Sequence, residues 1–140
     1  MTTARGGRRQ LKHRSKTMND KLRVLILEDE TAVSTLLEVI VEDTISADIL
    51  VHTSVEAAQQ SIGPELDLAL LDINLANGKS YQLAMKLLNH DVPFLFVSAS
   101  EHHDMPEELR NSPFIAKPFR ADQIRDAVLK AVKTKDRKAH

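Results

Sequence analysis

The segment RVLILEDE at Arg23–Glu30 is the clearest indication of the fold class. Four consecutive apolar residues follow a single base, and three acids follow them directly. A short run that is apolar on both of its faces is typical of a β-strand buried on both sides, as in a parallel sheet covered by helices. The segment therefore predicts a buried strand whose carboxyl end carries a group of carboxylates.

Outward from this run, strand and helix patterns alternate along the chain. Further strands are predicted at Ile49–His52, Leu66–Leu71, Pro93–Val97 and Phe114–Ala116. Helices are predicted at Asp29–Asp43, Thr53–Ile62, Ser80–Asn89 and Arg120–Val132. A weaker helical pattern around Pro106–Arg110 lies between the last two and counts as the fourth helix in chain order. Strand-helix units with short links require parallel strands and right-handed crossovers. The pattern thus predicts an α/β fold with helices on both faces of the sheet.

Apolar spacing predicts which side of each helix is buried. The residues expected to face inward are Ala32, Val33, Leu36, Leu37, Ile40 and Val41 in the first helix, Leu83, Ala84, Leu87 and Leu88 in the third, and Ile124, Val128 and Val132 in the last. Thr53 and Glu56 have the spacing of a capping box, which predicts the start of the second helix.

Length and composition are those of one globular domain. The chain has 140 residues, of which 42% are hydrophobic and 28% charged. It has no cysteine, which excludes a disulfide scaffold, a thiol nucleophile and a thiolate zinc site. No apolar run approaches the ~18 residues of a membrane span, and the basic N-terminus lacks the apolar segment of a secretory signal. We therefore expect a cytoplasmic protein.

Charge divides the chain into an acidic body with basic ends. Residues 1–21 have a net charge of +6, residues 22–129 of −11, and residues 130–140 of +4. An acidic body argues against direct DNA binding, which needs clustered Lys and Arg. We expect a disordered basic tail at 1–21, a folded domain at 22–134 and a basic C-terminal tail at 135–140. The alternative for the first tail is a basic arm that contacts an acidic partner or a membrane surface.

Reactive side chains follow four of the predicted strands. Acids including Asp29 follow the first strand, Asp72 the third, Ser98 the fourth and Lys117 the fifth. The carboxyl ends of parallel strands form the edge at which such sheets bind ligands. Several carboxylates at one edge repel one another, and Mg²⁺ offsets that repulsion with its preference for oxygen ligands. A carboxylate beside Mg²⁺ and a lysine is a suitable phosphoryl acceptor.

Four segments at these strand ends make the chain resemble a response-regulator receiver domain of two-component signalling over about residues 22–134. They are Val24–Glu30 (VLILEDE), Ala69–Asn74 (ALLDIN), Phe96–Ala99 (FVSA) and Ala116–Phe119 (AKPF). The resemblance implies a flavodoxin-like, doubly wound, five-stranded parallel sheet of strand order 2-1-3-4-5. The segments GKSYQLA, VPFLFVSAS and KPF further resemble the single-domain regulators nicknamed FAT GUY, although that subclass usually has Thr-Gly where this chain has Ser98-Ala99.

The resemblance also implies a role for each acceptor-site residue. Asp72 would accept the phosphoryl group, Ser98 would be the switch hydroxyl, and Lys117 would contact the phosphoryl group. The peptide bond between Lys117 and Pro118 would be cis. Phe114 stands where the switch aromatic is expected, with packing in the core as its alternative role. Ser98 replaces the common Thr, and Phe114 replaces the common Tyr and so lacks its phenolic hydrogen bond.

The same resemblance implies Mg²⁺ as the cofactor. Asp29 would bind the metal directly and Glu28 through water, with Asp72 and the backbone carbonyl of Asn74 as further ligands. Glu30 is expected instead to be an acid at a helix N-terminus, where it complements the helix dipole.

The expected partners are a histidine kinase or a histidine phosphotransferase, together with a downstream protein. That protein would bind the face formed by the fourth helix, fifth strand and fifth helix, and homodimerisation is left open. No enzyme activity is expected beyond Mg²⁺-dependent self-phosphorylation and autodephosphorylation.

The alternative is a phosphatase of the haloacid-dehalogenase type, which would have its nucleophile after the first strand and an aspartate two residues later. A flavodoxin-type flavin carrier would need a phosphate loop where this chain has the acids of EDETA.

Overall fold

The computed structural model describes residues 20–99 and 104–139 and contains a five-stranded parallel sheet. Its strands are β1 (Leu22–Leu27), β2 (Ala47–His52), β3 (Leu68–Leu71), β4 (Phe94–Ser98) and β5 (Phe114–Ala116). They pair in the order β2-β1-β3-β4-β5, which confirms the predicted fold class and strand order. The predicted tail at 1–21 lies outside the described residues except for its last two.

Three helices lie between these strands: α1 (Thr31–Thr44), α2 (Val55–Gln59) and α3 (Tyr81–Asn89). A fourth, α4 (Ala121–Ala139), follows β5. A 3₁₀ turn at Glu107–Leu109 replaces the weak helix predicted before β5. A two-stranded antiparallel ribbon, Asn74–Leu75 with Gly78–Lys79, lies between β3 and α3. Gly78 closes the turn of the ribbon with φ +145, a conformation that favours glycine.

The wholly apolar strands supply two hydrophobic cores, one on each face of the sheet. In β1, Leu25 and Leu27 belong to the core that includes α2 and α3, whereas Val24 and Ile26 belong to the core that includes α1 and α4. Side chains alternate between the faces of a strand, so a strand buried on both sides must be apolar at every position. This explains why RVLIL shows no alternation of polar and apolar residues.

The predicted apolar faces of two helices were too wide. Leu36 and Leu88 are 49% and 41% exposed, and Ala32 is also exposed. Successive residues on a helix are about 100° apart, so Leu36 points away from the buried stripe that includes Leu37. Leu88 is related to the buried Leu87 in the same way. The apolar spacing located the stripe but not its edges.

Both ends of the second helix and the end of the last helix also differ from prediction. The second helix is capped by Ser54, whose hydroxyl accepts the Ala57 amide at 3.2 Å, so the Thr53–Glu56 capping box is wrong by one residue. This helix ends at Gln59 instead of Ile62. The last helix continues beyond Val132 to Ala139, because the chain there has neither Gly nor Pro and is rich in good helix formers. Within the described ranges, none of the helices has the length and apolar character needed to cross a bilayer.

Candidate functional site

The carboxyl edge of the sheet brings the predicted site residues together. Asp72 follows β3 and is 7% exposed, Ser98 is the last residue of β4 and is fully buried, and Lys117 follows β5. Glu28 follows β1 and is 1% exposed, and Asp29 beside it is exposed. The parallel topology places residues that are up to 89 positions apart in the sequence within hydrogen-bond distance of one another.

The Asp72 carboxylate binds different donors at its two oxygens. Its Oδ1 accepts the Ser98 hydroxyl at 2.7 Å and the backbone amide of Ile73 at 2.8 Å. Its Oδ2 accepts the Lys117 ammonium at 3.3 Å. The Ile73 amide also lies 3.4 Å from Ser98 Oγ, so these groups form one small network. Both oxygens of Asp72 are therefore held in place by donors that stabilise negative charge.

Glu28 is an acid buried beside Asp72. Its Oε1 accepts the Lys117 ammonium at 2.7 Å, and its Oε2 accepts the Glu30 amide at 3.1 Å. Burial raises the pKa of Glu28, and these two hydrogen bonds offset only part of the increase. Loss of hydration disfavours the ionised form, so the hydrogen bonds from Lys117 and Glu30 hold the Glu28 carboxylate in a site where its charge is poorly solvated.

The Lys117 ammonium lies within 4 Å of three carboxylates. In addition to Glu28 and Asp72, its ammonium lies 3.9 Å from Glu30, which is the N-cap residue of α1. Burial alone would lower the pKa of Lys117, but the Glu28 hydrogen bond and the charges of Asp72 and Glu28 raise it overall. The lysine is thus charged at neutral pH. Its amide donates to the Ser98 carbonyl at 3.1 Å, and the peptide bond to Pro118 is cis, as predicted.

Three carboxylates form a cluster that fits a small divalent cation. Glu28, Asp29 and Asp72 each offer one oxygen, and these oxygens lie within 4.8 Å of one another. Octahedral Mg²⁺ has ligand distances of about 2.0–2.1 Å, so its opposite ligands are about 4 Å apart. The donor set is all oxygen and the three formal charges exceed the one charge of Lys117. Both the spacing and the chemistry therefore suit Mg²⁺.

Ser80 is a site residue that the sequence analysis missed. It is fully buried, and its hydroxyl donates to the backbone carbonyl of Asp72 at 2.7 Å. Its amide donates to the Ile73 carbonyl at 3.0 Å, so Ser80 closes the loop that follows the acceptor strand. A serine just before a helix has the local pattern of an N-cap, which gave no sign of this contact between residues eight positions apart.

Phe114 and Asn74 occupy the periphery of the site. Phe114 is half-buried, and its ring lies 6.5 Å from that of Phe96 with an interplanar angle of 46°. This packing is compatible with both roles considered for Phe114, the switch aromatic and the core residue. Asn74 is exposed and begins the ribbon two residues after Asp72. Its metal-binding carbonyl stays a prediction.

A comparison with known families identifies the class of this domain. Residues 24–129 match the model of the response regulator receiver domain. The chain therefore belongs to the response regulator receiver domain family, and its role in two-component signalling is that of a phosphoryl-accepting domain.

Individual proteins that are similar to this chain share only a low sequence identity with it. The chain is 29% identical over 123 residues to nodulation protein W of Bradyrhizobium diazoefficiens, covering 82% of this chain and 52% of that protein. It thus spans about half the length of this curated relative. The signal receiver domain of a putative Luxo repressor protein from Vibrio parahaemolyticus superimposes with a TM-score of 0.73 at 23% identity, over 85% of this chain and 95% of that one. The non-phosphorylated HemR receiver domain from Leptospira biflexa gives a TM-score of 0.67 at 27% identity, over 80% and 94%.

Proposed function

We propose that Asp72 accepts a phosphoryl group from a phosphohistidine of a histidine kinase or histidine phosphotransferase, and that the phosphorylated domain changes its binding to a downstream protein or passes the group on. The observation that carries this proposal is the pair of contacts at Asp72, with Ser98 at one oxygen and Lys117 at the other. In the transfer, a carboxylate oxygen of Asp72 forms the new P–O bond. The P–N bond to histidine breaks, and the released imidazole takes up a proton.

Mg²⁺ is the proposed cofactor, with Glu28, Asp29, Asp72 and the Asn74 carbonyl as the residues that would hold it, Glu28 through water. When bound, it would neutralise charge on the transferring phosphoryl oxygens. The support for this assignment is the spacing and excess negative charge of the three carboxylates.

Lys117 and Ser98 have separate proposed roles in the transfer. The Lys117 ammonium offsets the negative charge that develops beside Asp72, and its ion pair with Glu28 fixes its position. The Ser98 hydroxyl already contacts Asp72, so after transfer it can donate to a phosphoryl oxygen instead of a carboxylate oxygen. Phosphorylation also adds roughly −1.5 to −2 charge at this position, by analogy with other phospho-residues. The contacts of Ser98 and Lys117 must rearrange in response.

The output is proposed to use the face that contains β5 and α4. Phe114 lies on β5, and its half-buried ring contacts Phe96 on β4, the strand that ends at Ser98. A change at Ser98 can therefore reach this face through packed neighbours. The single-domain subclass and homodimerisation stay predictions. We propose no turnover beyond phosphorylation and dephosphorylation of Asp72 itself.

Labelling with acetyl phosphate tests this function. The expected result is a phosphoryl group on Asp72 that forms with Mg²⁺, fails to form with excess chelator and is absent from Asp72→Asn, as read by intact-protein mass spectrometry. Asp48→Asn removes an exposed acid at the other end of the sheet and serves as the matched control. Labelling of Asp72→Asn at the wild-type rate would overturn the assignment. Sustained hydrolysis of p-nitrophenyl phosphate would favour the phosphatase alternative.

A further inference from the structure

Two segments that leave the acceptor site are joined by three side chains, which we call the latch: Lys79, Tyr81 and Asp104. The Lys79 ammonium forms an ion pair with Asp104 Oδ2, and the Tyr81 hydroxyl donates to Asp104 Oδ1 at 3.1 Å. The same ammonium lies 5.7 Å from the centroid of the Tyr81 ring. Lys79 and Tyr81 follow Asp72 in the chain, whereas Asp104 follows Ser98.

The phenol is the buried part of the latch. Lys79 and Asp104 have side chains that are 44% and 56% exposed, and an ion pair between such groups contributes little by itself. Tyr81 is only 9% exposed, and its ring meets Phe96 of β4 edge-on at 6.4 Å. Burial and the bond to Asp104 raise the pKa of Tyr81 to about 12, and the bond to Lys79 lowers the pKa of Asp104. The phenol therefore donates to a charged carboxylate at neutral pH.

The latch is connected in the chain to both residues that contact Asp72 through a hydroxyl group, Ser80 and Ser98. Lys79 and Tyr81 flank Ser80, whose hydroxyl holds the carbonyl of Asp72. Asp104 belongs to the segment that follows Ser98, whose hydroxyl holds the carboxylate of Asp72. Tyr81 also packs against Phe96, which precedes Ser98 on β4. A displacement of Asp104 that moves Tyr81 therefore acts on the strand that ends at Ser98.

We propose that Lys79, Tyr81 and Asp104 are positioning residues that keep Ser98 within reach of Asp72, and that loading of Asp72 in turn alters the latch. This proposal rests on the proposed function, because the loaded state is the phosphorylated one. Coupling between two sites is reciprocal, so a latch that favours loading must also respond to it by the same factor.

Tyr81 allows this to be measured directly. It is the single tyrosine of a chain without tryptophan, so emission excited on the tyrosine absorption band reports on the latch. A phenol hydrogen-bonded to a carboxylate emits weakly, and we expect Asp104→Asn to emit more strongly than wild type at neutral pH. Beryllofluoride with Mg²⁺, a mimic of the phosphoryl group, should change the emission of wild type along a saturable curve. In Asp72→Asn, beryllofluoride should leave the emission unchanged.

The decisive experiment compares affinities for beryllofluoride in two backgrounds. Asp104→Asn and Tyr81→Phe should each weaken binding about two- to fivefold where Ser98 is present. In Ser98→Ala, Asp104→Asn should have no further effect, because the latch acts through the Ser98 hydroxyl. Glu56→Gln is the matched control, since Glu56 accepts a 3.1 Å hydrogen bond from Asn77 at the other side of the ribbon. It should leave the affinity unchanged.

Unchanged affinity in folded Asp104→Asn, or an equal loss in the Ser98→Ala background, would overturn the latch. An equal loss in Glu56→Gln would also overturn it, because any loosening of the ribbon would then suffice. If wild type itself failed to bind beryllofluoride, the proposed function would fail. The latch would then be judged by amide exchange of Ile73, whose N–H contacts both Asp72 and Ser98. Faster exchange in Asp104→Asn would support it, and unchanged exchange would contradict it.

Discussion

The two ends of the sheet treat their acids differently. At the amino end, the two acids have separate partners: the exposed Asp48 pairs with Lys21 at 3.3 Å, and the buried Asp67 accepts the Arg23 backbone amide at 2.8 Å. At the carboxyl end, Glu28 and Asp72 are both buried and share the Lys117 ammonium. An exposed ion pair such as Lys21–Asp48 stabilises a fold modestly, whereas two adjacent buried carboxylates that share one base keep excess negative charge in one place. That excess is the property by which we propose the carboxyl end as the cation and phosphoryl site.

Removal of the shared base should have the largest effect on this contrast. We expect Lys117→Met to lower the free energy of unfolding by about 3 kcal/mol, because it leaves two buried carboxylates without their common cation. Lys21→Met, the corresponding change at the amino end, should lower it by less than about 1 kcal/mol, since that pair is exposed. Urea unfolding without divalent cations measures both. Equal losses would show that the two edges do not differ in this way.

Glu28→Gln should have a smaller effect and the opposite sign. Burial raises the pKa of Glu28, so the folded state binds a proton at this carboxyl more tightly than the unfolded state does. Proton binding at Glu28 therefore stabilises the fold at low pH, and this stabilisation is lost as the pH rises through the pKa of the folded state. We therefore expect Glu28→Gln to be more stable than wild type at pH 7.

The pH dependence of Glu28→Gln checks the physical cause. The advantage over wild type should disappear below the ordinary glutamate pKa of 4.5, where Glu28 is protonated in both the folded and the unfolded state. Thermal unfolding at pH 7 and at pH 4 compares the two conditions. Asp48→Asn at the amino end is the control, and we expect no such gain at pH 7. An unstabilised Glu28→Gln at pH 7 would show that burial of this charge is not the cause.

The sequence predicted the parts of this molecule that depend on regular geometry. Buried parallel strands must be apolar at every position, so RVLIL, LDLALL and PFLFV were recognisable, and the parallel topology then brought Asp72, Ser98 and Lys117 to one edge. Strand ends are therefore informative even without a structure.

The features that were missed depend on contacts without a local pattern. Lys79 and Asp104 are 25 positions apart, and nothing in either neighbourhood marks the pair. Ser80 has the local appearance of a helix cap, and its contact with Asp72 becomes visible only once the ribbon is folded back. Leu36 was placed in the core because apolar spacing cannot show how far the sheet extends beneath a helix.

Calorimetric titration with Mg²⁺ measures whether the three carboxylates at the carboxyl end bind a metal ion. We expect wild type to bind one Mg²⁺ at the carboxyl end, and Asp29→Asn to weaken binding by more than about tenfold, since even residues that only orient metal ligands contribute that much. Asp48→Asn should bind like wild type. If Asp29→Asn retained wild-type affinity, or if Asp48→Asn lost it, the carboxylates at the carboxyl end would not form the metal site.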